Sequence, residues 1–198
     1  VDEAESVIQK YVDIKSKFSY LIYTSGRYDF YSQTRWSGNG YEGLTDYFMR
    51  QSDFNAVIEP LGYEPVMLSE ECMLVAFNSE IEKLNWDGFV FEQNGKSFPV
   101  SSVRGDYPIL SFAHFYVIVP DEVVKDMKVQ SEYTVYDTED GPYDAIALKE
   151  ELTYIPSDSL GLEQCDYSFR EYGRQEQNST NAIFVIGALF IAAVFLFM

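Results

Sequence analysis

Tyrosines and carboxylates alternate through Tyr133, Tyr136, Asp137, Glu139, Asp140, Tyr143 and Asp144, and a second aromatic group lies at Tyr28, Phe30, Tyr31 and Trp36. Aromatic faces hold apolar groups and attract cations, so acids interleaved with rings suit an amphipathic cationic peptide. Exposed charge pairs contribute about 0 to 1 kcal/mol each and are screened by salt. The acids would therefore gather such a peptide and the aromatics would have to hold it. Candidate ligand-binding residues are Tyr133, Tyr136, Asp137, Glu139, Asp140, Tyr143 and Asp144, together with Trp36. A solvated acidic face over an aromatic core is the plainer reading of the same residues, because 16 Tyr and 15 Phe must mostly fill interior and loops.

Catalytic parts are sparse. The single histidine, His114, opens an apolar run, which suits a structural role and leaves no Ser-His-Asp triad or His-based metal site. No Gly-rich phosphate loop is present, so ATP chemistry would belong to another chain. The segment Asp137-Thr-Glu-Asp-Gly-Pro-Tyr-Asp144 clusters carboxylates, but its spacing departs from a calcium-binding loop and reads as an acidic turn. A non-catalytic binding protein is expected, with no cofactor and no metal.

Whole-chain charge narrows the partners. A formal charge of -18, from 14 Lys plus Arg against 32 Asp plus Glu, repels phosphates and excludes nucleic acid. At the C-terminal end, residues 182–198 are apolar without interruption. At about 1.5 Å per residue they cover most of a roughly 30 Å hydrocarbon core. Their Leu, Ile, Phe and Val residues favour insertion by about 0.3 to 0.6 kcal/mol each, so the run is expected to begin a membrane span. The acidic domain ahead of it fits the outer side of the membrane. Cys72 and Cys165 could pair in a disulfide, although the apolar surroundings of Cys72 favour a buried free thiol.

The elements that must position these residues follow from hydrophobic period. Residues 1–14 carry apolar side chains at a 3.6-residue spacing and predict an amphipathic helix. Residues 18–23 predict a strand closed by Ser25-Gly26, with 27–30 pairing back beside it, and 32–40 reads as a loop. Residues 41–61 place Leu44, Tyr47, Phe48, Phe54, Val57, Ile58 and Leu61 on one helical stripe that stops at Gly62. Cys72 to Phe77 predicts a strand covered on both faces, and 79–86 a short helix. Asn94-Gly95 between 89–91 and 97–100 predicts a hairpin, with Pro99 placed where no ladder donor is needed. A strand at 114–119 runs into a helix opened by Pro120-Asp-Glu; a strand at 131–136, a turn at 137–142 and a helix at 143–151 follow. The fold class is α+β: a mixed sheet with helices packed on it. The expected organisation is a helical stalk at 1–17, an extracellular α+β domain at 18–165, a second helical stalk at 166–181, and the start of a transmembrane helix at 182–198.

Three stretches carry a family resemblance: Phe115-Tyr-Val-Ile-Val-Pro-Asp-Glu-Val-Val124, Asp144-Ala-Ile-Ala-Leu-Lys-Glu-Glu-Leu152, and Asn181-Ala-Ile-Phe-Val-Ile-Gly-Ala-Leu-Phe-Ile-Ala-Ala-Val-Phe-Leu196. With them the chain resembles the FtsX-like ABC transporter permeases of the bacitracin-resistance (BceB) type, over nearly its whole length. In that family a large extracellular domain is inserted between the seventh and eighth of ten transmembrane helices. The resemblance implies a bacterial cell-membrane permease that works with a cytoplasmic ABC ATPase and a sensor histidine kinase. Its ligand would be a cationic antimicrobial peptide or that peptide's lipid-linked complex. A lipid- or lipoprotein-exporting permease of the same superfamily predicts the same topology. A single-span, tail-anchored adhesion or scaffold protein is the reading from a different class.

Overall fold

The computed structural model describes residues 2–30, 32, 45–77, 79–107, 113–139, 143–155, 171 and 175. Within them the chain forms a seven-stranded mixed sheet with helices, an α+β fold. In chain order the elements are α1 (Asp2–Ile8), β1 (Ile14–Thr24), β2 (Tyr47–Arg50), α2 (Gln51–Ile58), β3 (Cys72–Ala76), α3 (Ser79–Glu82), β4 (Val90–Gln93), β5 (Lys96–Arg104), β6 (Phe115–Val119), β7 (Lys128–Thr138) and α4 (Ala145–Thr153). The sheet order is β4-β5-β3-β6-β2-β1-β7. Pairing is antiparallel for β4 with β5, β3 with β6 and β1 with β2, and parallel for β3 with β5 and β2 with β6. The chain divides into two compact units, Phe18–Val135 and Val1–Lys17 with Tyr136–Met198.

In the unit Phe18–Val135 the central strands are covered on both faces. Because successive strand side chains point to opposite sides, Cys72, Leu74 and Ala76 enter one apolar cluster while Met73 and Val75 enter another. Strand β6 splits the same way, Phe115, Val117 and Val119 against Tyr116 and Ile118. One face is packed by Phe54, Val57 and Ile58 of α2. The other is packed by Phe30, Ile81 and Trp86 and by Val123, Val124 and Met127 around the 3₁₀ turn Asp121–Asp126. Phe30 is the hub of that second face, with ring centroids of Phe89, Phe91, Trp86, Phe48 and Phe115 between 4.8 and 6.4 Å away.

In the other unit, Ala4, Val7 and Ile8 of α1 bury against Leu148, Leu152 and Ile155. Tyr11, Val12 and Ile14 pack on the same cluster. Lys10 and Tyr11 both bond the Glu151 carboxylate, which lowers the Glu151 pKa through those hydrogen bonds.

Several elements depart from the sequence pattern. The helix expected over 1–14 ends at Ile8, and Ile14 already belongs to β1. The apolar period continues past the helix because Tyr11 and Ile14 still pack on the cluster of α1 and α4 from a turn and a strand. The helix expected over 41–61 is a strand, Tyr47–Arg50, followed by α2 and a 3₁₀ turn, Glu59–Leu61. Strand β2 lies between β1 and β6 and is covered on both faces, Phe48 entering one cluster and Tyr47 and Met49 the other, so the adjacent apolar pair Tyr47-Phe48 reads as part of the stripe of α2. Residues 27–30 form a turn rather than a strand, the helix of 79–86 stops at Glu82, and the helix after Pro120 is 3₁₀. The hairpin forms as expected: Asn94 and Gly95 have φ of 54° and 74° and close a two-residue loop between Gln93 and Lys96. Pro99 pairs with Val90, and the ladder to β3 begins one residue later at Val100.

The loop 32–40 beyond Ser32, Trp36, Asp140, Cys165 and the run 182–198 lie outside the described residues, as does the stalk 166–181 apart from Glu171 and Gln175. Among the described residues no helix is long and apolar enough to cross a membrane.

Candidate functional site

The tyrosines singled out by sequence take packing positions. In the unit Phe18–Val135, Tyr133 stacks on Tyr20 with ring centroids 5.0 Å apart and planes 12° apart. Burial of Tyr20, reinforced by Tyr133, raises the Tyr20 pKa far above the ordinary value. Beside this stack the Ser19 and Thr134 hydroxyls bond at 3.0 Å.

In the other unit, Tyr136 and Tyr143 are brought together on the apolar cluster of α1 and α4. The Lys17 ammonium sits 5.5 Å over the Tyr136 ring and also pairs with Glu5. The Tyr143 carbonyl accepts from Gln175 at 2.7 Å. Asp144 caps α4, its Oδ1 accepting from the Ala147 N–H at 3.0 Å, as an N-terminal carboxylate should. Asp137 and Glu139 are exposed, as Asp144 is, but cap no helix, and the Glu139 N–H is held by the Asp13 carbonyl. Within this unit the two carboxylates are what the pattern leaves open to a ligand. Asp140 and Trp36 lie outside the described residues.

A second surface was not legible in the residue pattern. A groove of about 400 Å³ is lined by Thr24, Ser25, Gly26, Arg27, Gln93, Asp126 and Lys128. The turn Ser25-Gly26 after β1 meets the end of β4 there, with Arg27 bonding the Glu92 carbonyl, although β1 and β4 are not neighbours in the sheet. A buried carboxylate fixes the first turn: Asp46 accepts from the Phe30 N–H at 2.9 Å, and its own N–H donates to the Arg27 carbonyl. Thr45 donates to that carbonyl as well. Arg27 is committed elsewhere, donating to the Glu92 carbonyl at 2.6 Å, pairing with Asp29 and lying 5.2 Å over Phe91. Asp126 accepts from the Asn94 amide at 2.9 Å. The groove is therefore an open surface of mixed polar and apolar character that carries the Thr24 and Ser25 hydroxyls, the Gln93 amide, the Asp126 carboxylate and the Lys128 ammonium. It offers hydrogen bonds to a peptide or sugar, and no apolar pocket to engulf a small molecule.

Cys72 and His114 are the other residues whose types could do chemistry. Cys72 is free and buried, and desolvation pushes its thiol pKa up to about 12. His114 is exposed, and its backbone carbonyl accepts from the Phe77 N–H. Among the described residues no group of three His, Cys, Asp or Glu side chains is placed to hold a metal ion. No protein-family model matches this chain, and no curated protein sequence matches it.

Proposed function

We propose that this chain is the extracellular substrate-sensing domain, with the start of the following span, of an FtsX-like ABC transporter permease of the bacitracin-resistance type. Its role is recognition in antimicrobial-peptide resistance, with ATP hydrolysis on a separate cytoplasmic subunit and signalling through a histidine kinase. One observation carries the reading: in a chain of charge -18, an α+β fold precedes in sequence a run of apolar residues at 182–198 with no charge in it. A surface of that sign concentrates cationic peptides near a bilayer and steers their approach.

The test uses the whole chain in nanodiscs of zwitterionic lipid, titrated with cell-wall-active cationic peptides, alone and with undecaprenyl-linked lipid. Micromolar or tighter binding that weakens with salt is expected. No binding to any peptide or peptide–lipid complex overturns the receptor reading. An adhesion or scaffold protein with one span is the second reading, favoured by the large apolar side chains Leu61 and Met67 held in solvent. Capture of a protein ligand with no response to peptides would select it.

A further inference from the structure

Strand β4 is an outer strand of the sheet, paired with β5 on one side. In an antiparallel ladder, opposed residues alternate between pairs that exchange hydrogen bonds and pairs whose N–H and C=O groups point away from the ladder. The Val100 N–H donates to the Phe89 carbonyl at 3.2 Å, which fixes the phase. Phe89, Phe91 and Gln93 therefore bond towards β5, and Val90 and Glu92 turn their backbone groups outward. Such outward groups are a template on which a further strand can pair, and an unprotected edge invites association. Val90 is 43% exposed, so this edge also shows an apolar side chain.

One of the outward carbonyls is already taken. Arg27, from the turn after β1, donates through Nη2 to the Glu92 carbonyl at 2.6 Å and to Gln93 Oε1 at 3.4 Å. Its Nε pairs with Asp29 at 3.0 Å, and the guanidinium lies 5.2 Å over the Phe91 ring. The turn that carries it is fixed as well, because the Arg27 carbonyl accepts from the Asp46 N–H and the Thr45 hydroxyl. The side chain itself is 45% exposed, so these contacts sit at the rim of the sheet and fill no part of the core. A charged donor binds a carbonyl more strongly than a neutral strand N–H does, and the rigid guanidinium fork loses little freedom per bond.

The strand this contact excludes is the same strand of a second copy. Two β4 edges paired antiparallel about Phe91 set Val90 opposite Glu92 twice, and each Val90 N–H would donate to the Glu92 carbonyl of the other copy. Both bonds need the carbonyl that Arg27 holds. Net charge of -18 keeps copies apart at long range, but at about 0.15 M salt its reach falls to about 8 Å, and at contact the hydrogen bonds of the edge decide. We infer that Arg27 is a guard that closes the β4 edge against strand pairing with a second copy of this chain.

The experiment measures self-association of the whole chain in nonionic detergent by sedimentation velocity, at about 0.15 M salt. Arg27→Ala should self-associate about tenfold or more tightly than the wild type, as two regained hydrogen bonds would give. Arg27→Met keeps an apolar stem over Phe91 without a donor and should behave alike; it carries the test if Arg27→Ala loses its circular-dichroism signature. Adding Val90→Pro to either variant removes an outward N–H that the ladder with β5 does not use, and should return self-association to the wild-type level. A folded Arg27 variant that associates no more than the wild type overturns the guard. Association that survives Val90→Pro uses another surface and overturns it too.

Discussion

Asn55 illustrates how one residue can order a loop. Its amide makes two hydrogen bonds to Val66, each worth about 0.5 to 1.5 kcal/mol net, so Asn55→Ala should cost about 1 to 3 kcal/mol in urea unfolding. Hydrogen exchange at 63–68 should accelerate more than the global loss accounts for; uniform acceleration would mean the loop is held by its apolar packing alone. Cys72 carries a pH prediction. Burial raises its thiol from an ordinary 9.0 to about 12, so the folded state keeps the proton that the unfolded chain releases first. The stabilisation is complete below pH 9 and lost as pH rises from 9 towards 12, and Tyr20, also raised by burial, acts in the same sense. In a Cys165→Ser background, Cys72 should resist thiol reagents at about pH 8 until denaturant is added. Rapid labelling in the native state would contradict its burial.

Among the elements, those with strong local chemistry were legible and those decided by sheet position were not. Asn94-Gly95 demanded positive φ at two successive residues, and a hairpin supplies it. Cys72 to Ala76 was apolar throughout, as a strand covered on both faces must be. Strand β2 has similar burial, but with four residues it is too short to show a period and merges with the stripe of α2. Tyr133 and Tyr136 do belong to a strand, β7, and Tyr143 stands just ahead of α4, yet one-dimensional pattern cannot separate rings that stack inward, such as Tyr133 on Tyr20, from rings that greet a ligand. The hairpin gives the prediction at this scale. Gly95→Ala places a Cβ at φ 74° and should destabilise by about 1 to 2 kcal/mol, while Asn94→Gly, at φ 54°, should be close to neutral. Equal losses from the two changes would mean the Asn94 bond to Asp126 matters as much as the turn geometry.

Net charge governs the behaviour of the whole molecule. With 32 acidic against 14 basic residues, the folded chain compresses like charges that the unfolded chain can separate. Ion pairs such as Lys17 with Glu5 and Arg50 with Asp53 are partly exposed and contribute about 0 to 1 kcal/mol each. Raising ionic strength from about 0.01 M to about 0.15 M shortens the screening length from about 30 Å to about 8 Å. That weakens the few attractive pairs slightly and the many repulsions together, so repulsion relief wins and thermal unfolding should shift upward with salt. On the receptor reading the same change should weaken capture of a cationic peptide, because the field that destabilises the fold would also be the field that attracts such a ligand. Opposite salt responses of stability and affinity in one preparation are therefore expected. A melting temperature that falls with salt would mean local pairs outweigh net charge, and a peptide affinity indifferent to salt would place recognition in apolar contacts without electrostatic help.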